Sequence, residues 1–130
     1  MKILIFNNQN EKINQKIQYA LNAYQNCQLI LTKDHHTFTK EFSFCLSGET
    51  IIVFFINNKN DMDFLESIHT QFVDIKLIVD QSERKKSFQS RVLELHPRMI
   101  TNFDENSELL IGVVQGIVKE KLKNQPEKNQ

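Results

Sequence analysis

Five short, uninterrupted apolar runs recur along the chain, and each is followed by a stretch whose apolar residues return at helical spacing. The runs are Ile3 to Phe6, Leu29 to Leu31, Ile51 to Ile56, Leu77 to Val79, and the weaker Met99 and Ile100. A strand with one wet face alternates apolar and polar residues, whereas a strand covered on both faces is apolar without a break. Between the runs the period changes. Ile13, Ile17, Ala20, Leu21 and Tyr24 share a face of a first predicted helix, with Asn8 or Asn10 available to cap it. Phe38, Phe42 and Cys45 predict a short second helix closing near Gly48. Met62, Leu65, Ile68, His69 and Phe72 line a third, entered through Asp61 or Asp63. A fourth begins near Ser82, carries Phe88, Val92 and Leu95, and stops before Pro97, because the residue preceding proline is driven out of the helical region. Ser107 opens a fifth whose apolar positions run from Leu109 to Leu122.

Strand and helix repeated five times implies an α/β domain with a parallel sheet and helices on both faces, since each crossover returns right-handed. Among such folds the pattern is assigned to the flavodoxin-like, doubly wound five-stranded sheet of order 2-1-3-4-5 with five helices. Its ligand site lies at the carboxyl ends of the strands. One domain is expected over residues 1–122, followed by a flexible polar tail over 123–130.

Composition excludes several function classes. Sixteen basic residues balance sixteen acidic ones, so no basic stripe is available to neutralise nucleic-acid phosphates. No apolar run reaches membrane-spanning length and the start is too short for a signal peptide, so a cytoplasmic protein is expected. Cys27 and Cys45 form no CxxC or Cys/His cluster and are expected to be reduced thiols. None of the pairs among His35, His36, His69 and His96 has the spacing that sets two imidazoles on one helix face, so no metal site is expected. The turn Asn7, Asn8, Gln9, Asn10 holds no glycine for a phosphate-cradling loop and no hydroxyl for a flavin phosphate. No cofactor is predicted.

In element order, element length and size, residues 2 to about 122 resemble the receiver domain of bacterial response regulators, the chemotaxis-type single-domain regulators in particular. The likeness is of pattern and not of motif. In that family, acids ending the first strand hold magnesium and an aspartate ending the third accepts phosphate; a Ser or Thr follows the fourth and a Lys the fifth. The set makes chemical sense. Phosphoryl transfer needs a carboxylate nucleophile, a metal to neutralise phosphate charge and a nearby cation. Here the acid pair corresponds to Asn7 and Asn8, and the acceptor to Ile56, or with a slip to Phe55 or Asn57. Asp80 stands in the hydroxyl position, and Asn102 or Thr101 in place of the lysine. The resemblance therefore implies a pseudo-receiver that is not phosphorylated.

Three function classes remain open. The first is a protein-binding regulator or adaptor in bacterial signal transduction, docking a signalling partner or a second copy of itself. Its surface is expected on the fourth and fifth helices, at Ile111, Gly112, Gly116, Val118 and Leu122, with Arg84 and Lys85 at the rim. Ile111, Val118 and Leu122 make a second apolar stripe beside Leu110, Val113, Val114 and Ile117, and two interior glycines cost about 1 kcal/mol each relative to alanine. A wide buried face is the plainer explanation of the same stripe. The resemblance adds that receivers dock partners through this part of the fold. The second class is a phosphorylatable receiver or small hydrolase using Asp61, Asp63 or Asp80 with magnesium, although helix starts attract acids without any chemistry. The third is a small-ligand sensor with a crevice lined by Asn7, Asn8, Ile56 and Asp80.

Overall fold

The computed structural model describes residues 1–8, 11–22, 24, 27–45, 49–72, 75–81, 86–102 and 108–123, with the backbone alone at 86, 87, 102, 122 and 123. The chain alternates β1 (Lys2–Phe6), α1 (Glu11–Leu21), β2 (Gln28–Thr32), α2 (His35–Ser43), β3 (Thr50–Ile56), α3 (Lys59–Ile68), β4 (Lys76–Gln81), α4 (Lys86–Glu94), β5 (Met99–Asn102) and α5 (Glu108–Lys123). The strands form one sheet of order β2-β1-β3-β4-β5, and every neighbouring pair is parallel. This is the predicted doubly wound topology.

The unbroken runs work as the pattern requires, because successive side chains leave a strand on opposite faces. Leu4, Phe6, Ile52, Phe54, Ile56, Leu77 and Val79 face one layer of core with Phe38 and Phe42 of α2, Met62 and Leu65 of α3, and Phe88 and Val92 of α4. Ile3, Ile5, Ile51, Val53, Phe55 and Ile78 face the other, with Ile13 and Ile17 of α1 and Leu110, Val114, Ile117 and Val118 of α5. In β3 all seven residues are buried. A charge anywhere along this central strand would be trapped without water.

The helix boundaries depart from the predicted ones for local reasons. α1 stops at Leu21, so Tyr24 is outside it. α2 begins at His35, because Asp34 caps it: its carboxylate accepts the Thr37 N–H at 2.7 Å and the Thr37 hydroxyl at 2.9 Å. Those two bonds hold the Asp34 carboxyl below its ordinary range, the Thr37 N–H contributing most. α3 is capped by Asn58 and not by either acid, and after Ile68 it tightens into a 3-10 turn over His69–Gln71 that leaves Phe72 outside the helix yet packed on the core. α3 and α4 are tied by Arg91, which binds Asp63 at 2.6 Å and Glu66 through both Nε and an Nη. Its guanidinium lowers the Glu66 carboxyl, chiefly through the hydrogen bond. Both cysteine thiols are pushed up by burial, in keeping with inert, reduced groups. Gly48, Ser82, Ser107 and the tail beyond residue 123 lie outside the described residues.

Candidate functional site at the carboxyl edge of the sheet

The carboxyl ends of β1 and β3 and the first turns of α2 and α3 enclose a crevice of about 240 Å³, lined by Phe6, Asn8, Lys33, Asp34, His35, Asn58, Asn60 and Asp61. Its floor is aromatic. Phe6 and Phe54, paired across β1 and β3, stack at 4.6 Å, and Phe38 meets both rings edge-on. The His35 ring lies flat on Phe64 at 4.2 Å and leans on Phe6 at 5.1 Å.

At the crevice wall His35 Nε2 sits 2.8 Å from Asp61 Oδ1. Asp61 is only 1% exposed, and a buried carboxylate is tolerable only where hydrogen bonds replace water. Those bonds come from the helix start itself. Asn58 Oδ1 accepts the Asp61 N–H at 2.9 Å while Asp61 Oδ2 accepts the Asn57 N–H at 3.0 Å, a reciprocal cap at the third helical position. With His35 on the other oxygen, both oxygens of Asp61 are engaged. The Asn-x-x-Asp spacing is a signal that could have located this cap in the sequence. Nothing in the sequence joins it to His35, which lies 26 positions earlier and reaches it only across the fold.

The residues expected to line one crevice do not share one. Of Asn7, Asn8, Ile56 and Asp80, only Asn8 lines it. Ile56 belongs to the core beneath α2, α3 and α4. Asp80 stands next to Val79 on β4 and therefore projects to the opposite face of the sheet, where Thr101 of β5, its partner in register, donates a 2.6 Å hydrogen bond to it. Asn7 is turned the same way and donates to Asn14 of α1 at 3.3 Å. Asn102 ends β5 beside Gln81 and is described by its backbone alone. The three acids proposed for magnesium are likewise dispersed. Asp61 is locked in its cap, Asp63 is half exposed and pairs with Arg91, and Asp80 lies across the sheet.

These residues do not fit a hard divalent cation, which takes charged oxygen donors from one side. The side chains that meet where β1 and β3 end are amides, and they bond each other: Asn57 Nδ2 donates to Asn8 Oδ1 at 2.7 Å. Among the described residues, no three His, Cys, Asp or Glu side chains converge.

The predicted partner surface needs correction at its centre. Val118 is 0% exposed and packs into the core beneath α5, so it is not a surface residue. Helical spacing explains this: Leu110, Val114, Ile117 and Val118, over just more than two turns, fall on a single inward face that takes in a residue of the second predicted stripe. Ile111 is half-buried at its margin, while Gly112 and Gly116 are exposed with room for a Cβ. Among the described residues, nothing lies within 4 Å of a Cβ added at either glycine. Leu122 is described by its backbone alone, and Arg84 and Lys85 lie outside the described residues. What the sequence did not reveal is a groove of about 600 Å³ between α1 and α5, lined by Lys12, Gln15, Lys16, Tyr19, Glu108 and Ile111.

The fold is that of a response-regulator receiver domain. The chain is similar to a response regulator receiver protein from Pseudoalteromonas atlantica, with 13% identity, TM-score 0.72 and coverage of 93% of this chain and 99% of that one. It is similar to the manganese-bound response regulator Rcp1 at 19% identity and TM-score 0.69, covering 97% and 98% of the two chains. An N-terminal domain from Wolinella succinogenes matches at 14% identity and TM-score 0.73, covering 96% and 99%. Neither a family model nor a curated protein matches the sequence. No described helix is long and apolar enough to cross a membrane.

Proposed function

We propose that this chain is a receiver-fold regulator without phosphoryl chemistry, acting in signal transduction by binding another protein. The observation that carries the reading is the amide pair at the strand ends. Asn57 donates to Asn8 across the ends of β1 and β3, so where a receiver would gather charge around a metal and a phosphoryl group these strand ends present two amides bonded to each other. The one carboxylate lining the wall there from α3, Asp61, has both oxygens engaged. A protein of this fold that keeps its sheet while lacking the nucleophile retains its surfaces, and those surfaces are its means of action.

Incubation with acetyl phosphate and magnesium, followed by intact-mass measurement, tests this reading. The mass is expected to stay that of the polypeptide; a phosphoryl adduct on Asp61 or Asp80 would overturn it. A second copy of the chain is one candidate partner, and light scattering over a concentration series distinguishes it from a different protein.

A further inference from the structure

We infer that the groove between α1 and α5 is a docking site for an acidic, amphipathic helical segment of a partner protein. The inference rests on the protein-binding reading above and names the chemistry of the partner. Three observations carry it.

The groove has the size for a protein element, about 600 Å³, and its apolar anchors are in place: Ile111 half-buried on one wall and Tyr19 on the other. Tyr19 is 86% exposed on α1 although its ring is large. Exposed tyrosines of this kind carry binding energy at interfaces, because the ring buries apolar area while its hydroxyl keeps a polar contact. Charge supplies the second observation. Lys12 and Lys16, one turn apart on α1, both line the groove, and neither has an ion-pair partner among the described residues, whereas Lys33 is paired with Glu11 and Arg91 with Asp63 and Glu66. Two unpaired ammonium groups beside an apolar slot complement carboxylates flanking an apolar stripe. Two lysines are too few to hold a nucleic acid, and with Glu108 on the α5 wall the partner's carboxylates are set against α1, beside Lys12 and Lys16. The third observation is the open flank of α5. Gly112, next in sequence to the groove residue Ile111, and Gly116 one turn on are exposed without side chains, and a Cβ added at either meets no described residue within 4 Å, so a second helix can come closer there than alanines would permit. A helix laid into a groove between two helices is an established recognition mode, read out by apolar anchors one turn apart with charged flanks.

The test uses two synthetic helical peptides of identical apolar spacing, one flanked by glutamates and one by lysines, titrated into the whole chain and followed by amide NMR shifts and fluorescence anisotropy. The glutamate peptide is expected to bind at least about tenfold more tightly than the lysine peptide, as one new charge pair per flank would give. Its shifts should fall on residues 12–19 and 108–116, and binding should weaken with added salt. A Lys12→Glu, Lys16→Glu double variant is expected to reverse the preference. Both side chains are exposed, so the variant keeps its fold, and a change of preference cannot come from unfolding. Equal binding of both peptides, binding of neither, shifts confined to another face, or self-association that fills the groove with a second copy would each overturn the inference. The protein-binding reading falls separately, on the appearance of a phosphoryl adduct.

Discussion

Asp61 and Asp63 are two residues apart and do opposite things, and burial is the cause. Buried Asp61 holds the Asn57 N–H and the half-buried His35 ring at the crevice wall, so removing it takes a partner from each. Asp61→Ala is expected to cost about 1–3 kcal/mol in urea unfolding. Asp63→Ala, which breaks a half-exposed ion pair, should cost no more than about 0.5 kcal/mol. Near-equal losses would mean the His35 contact contributes nothing. Acid titration separates another pair. Glu66 has its folded-state carboxyl lowered by Arg91, so its contribution is present above the unfolded value and is lost as pH falls through the lowered folded one. The stability advantage of the native chain over Glu66→Gln should therefore be constant above about pH 5 and vanish at lower pH, which thermal unfolding at stepped pH measures. Of this residue-level picture the sequence announced only that acids stand at a helix start. Which acid is buried depends on α2 lying beside α3, and no local pattern encodes that.

Among the elements, α5 is where a pattern of spacing misled and a pattern of burial corrects it. Val118 sits on the inward face with Leu110, Val114 and Ile117, so Val118→Asp traps a charge in the core. The variant is expected to lose about 3 kcal/mol or more and to populate the unfolded state, seen as loss of amide dispersion. Gly112→Ala and Gly116→Ala should instead each raise stability by about 1 kcal/mol, since no described residue occupies the added methyl's place and alanine is the better helix former. If those gains come with weaker partner binding, the glycines are kept for the partner. The strands, by contrast, were legible in place and order, although β4 and β5 run past their apolar residues to Gln81 and Asn102. Their unbroken apolar runs could be satisfied only with cover on both faces, which fixed the sheet and the return of each helix. Helix ends were less legible because Asn58, Asp61 and Asp63 compete for the start of α3 on equal compositional terms.

At the scale of the whole molecule, the receiver fold was readable from the order and length of elements, and the lack of acids where β1 and β3 end from Asn7, Asn8 and Ile56. The shape of the crevice was not readable, because strand alternation sends Asp80 and Asn7 to one face of the sheet and the crevice opens on the other. Installing acids at the amide pair tests whether the scaffold alone remains. In an Asn8→Asp, Asn57→Asp double variant two carboxylates would meet where a 2.7 Å amide bond now lies, and their repulsion should lower the melting temperature until magnesium is added. The native chain should melt at the same temperature with and without magnesium.

The most direct measurement is a pair of amide NMR spectra of the native chain, taken with and without magnesium and beryllium fluoride, which together imitate a phosphorylated aspartate. An amide pair standing where acids would be needed predicts superimposable spectra. Saturable shifts at Asn8, Asn57, Asp61 or Asp80 would contradict the account, because they would mean that this edge still gathers a metal and a phosphoryl mimic.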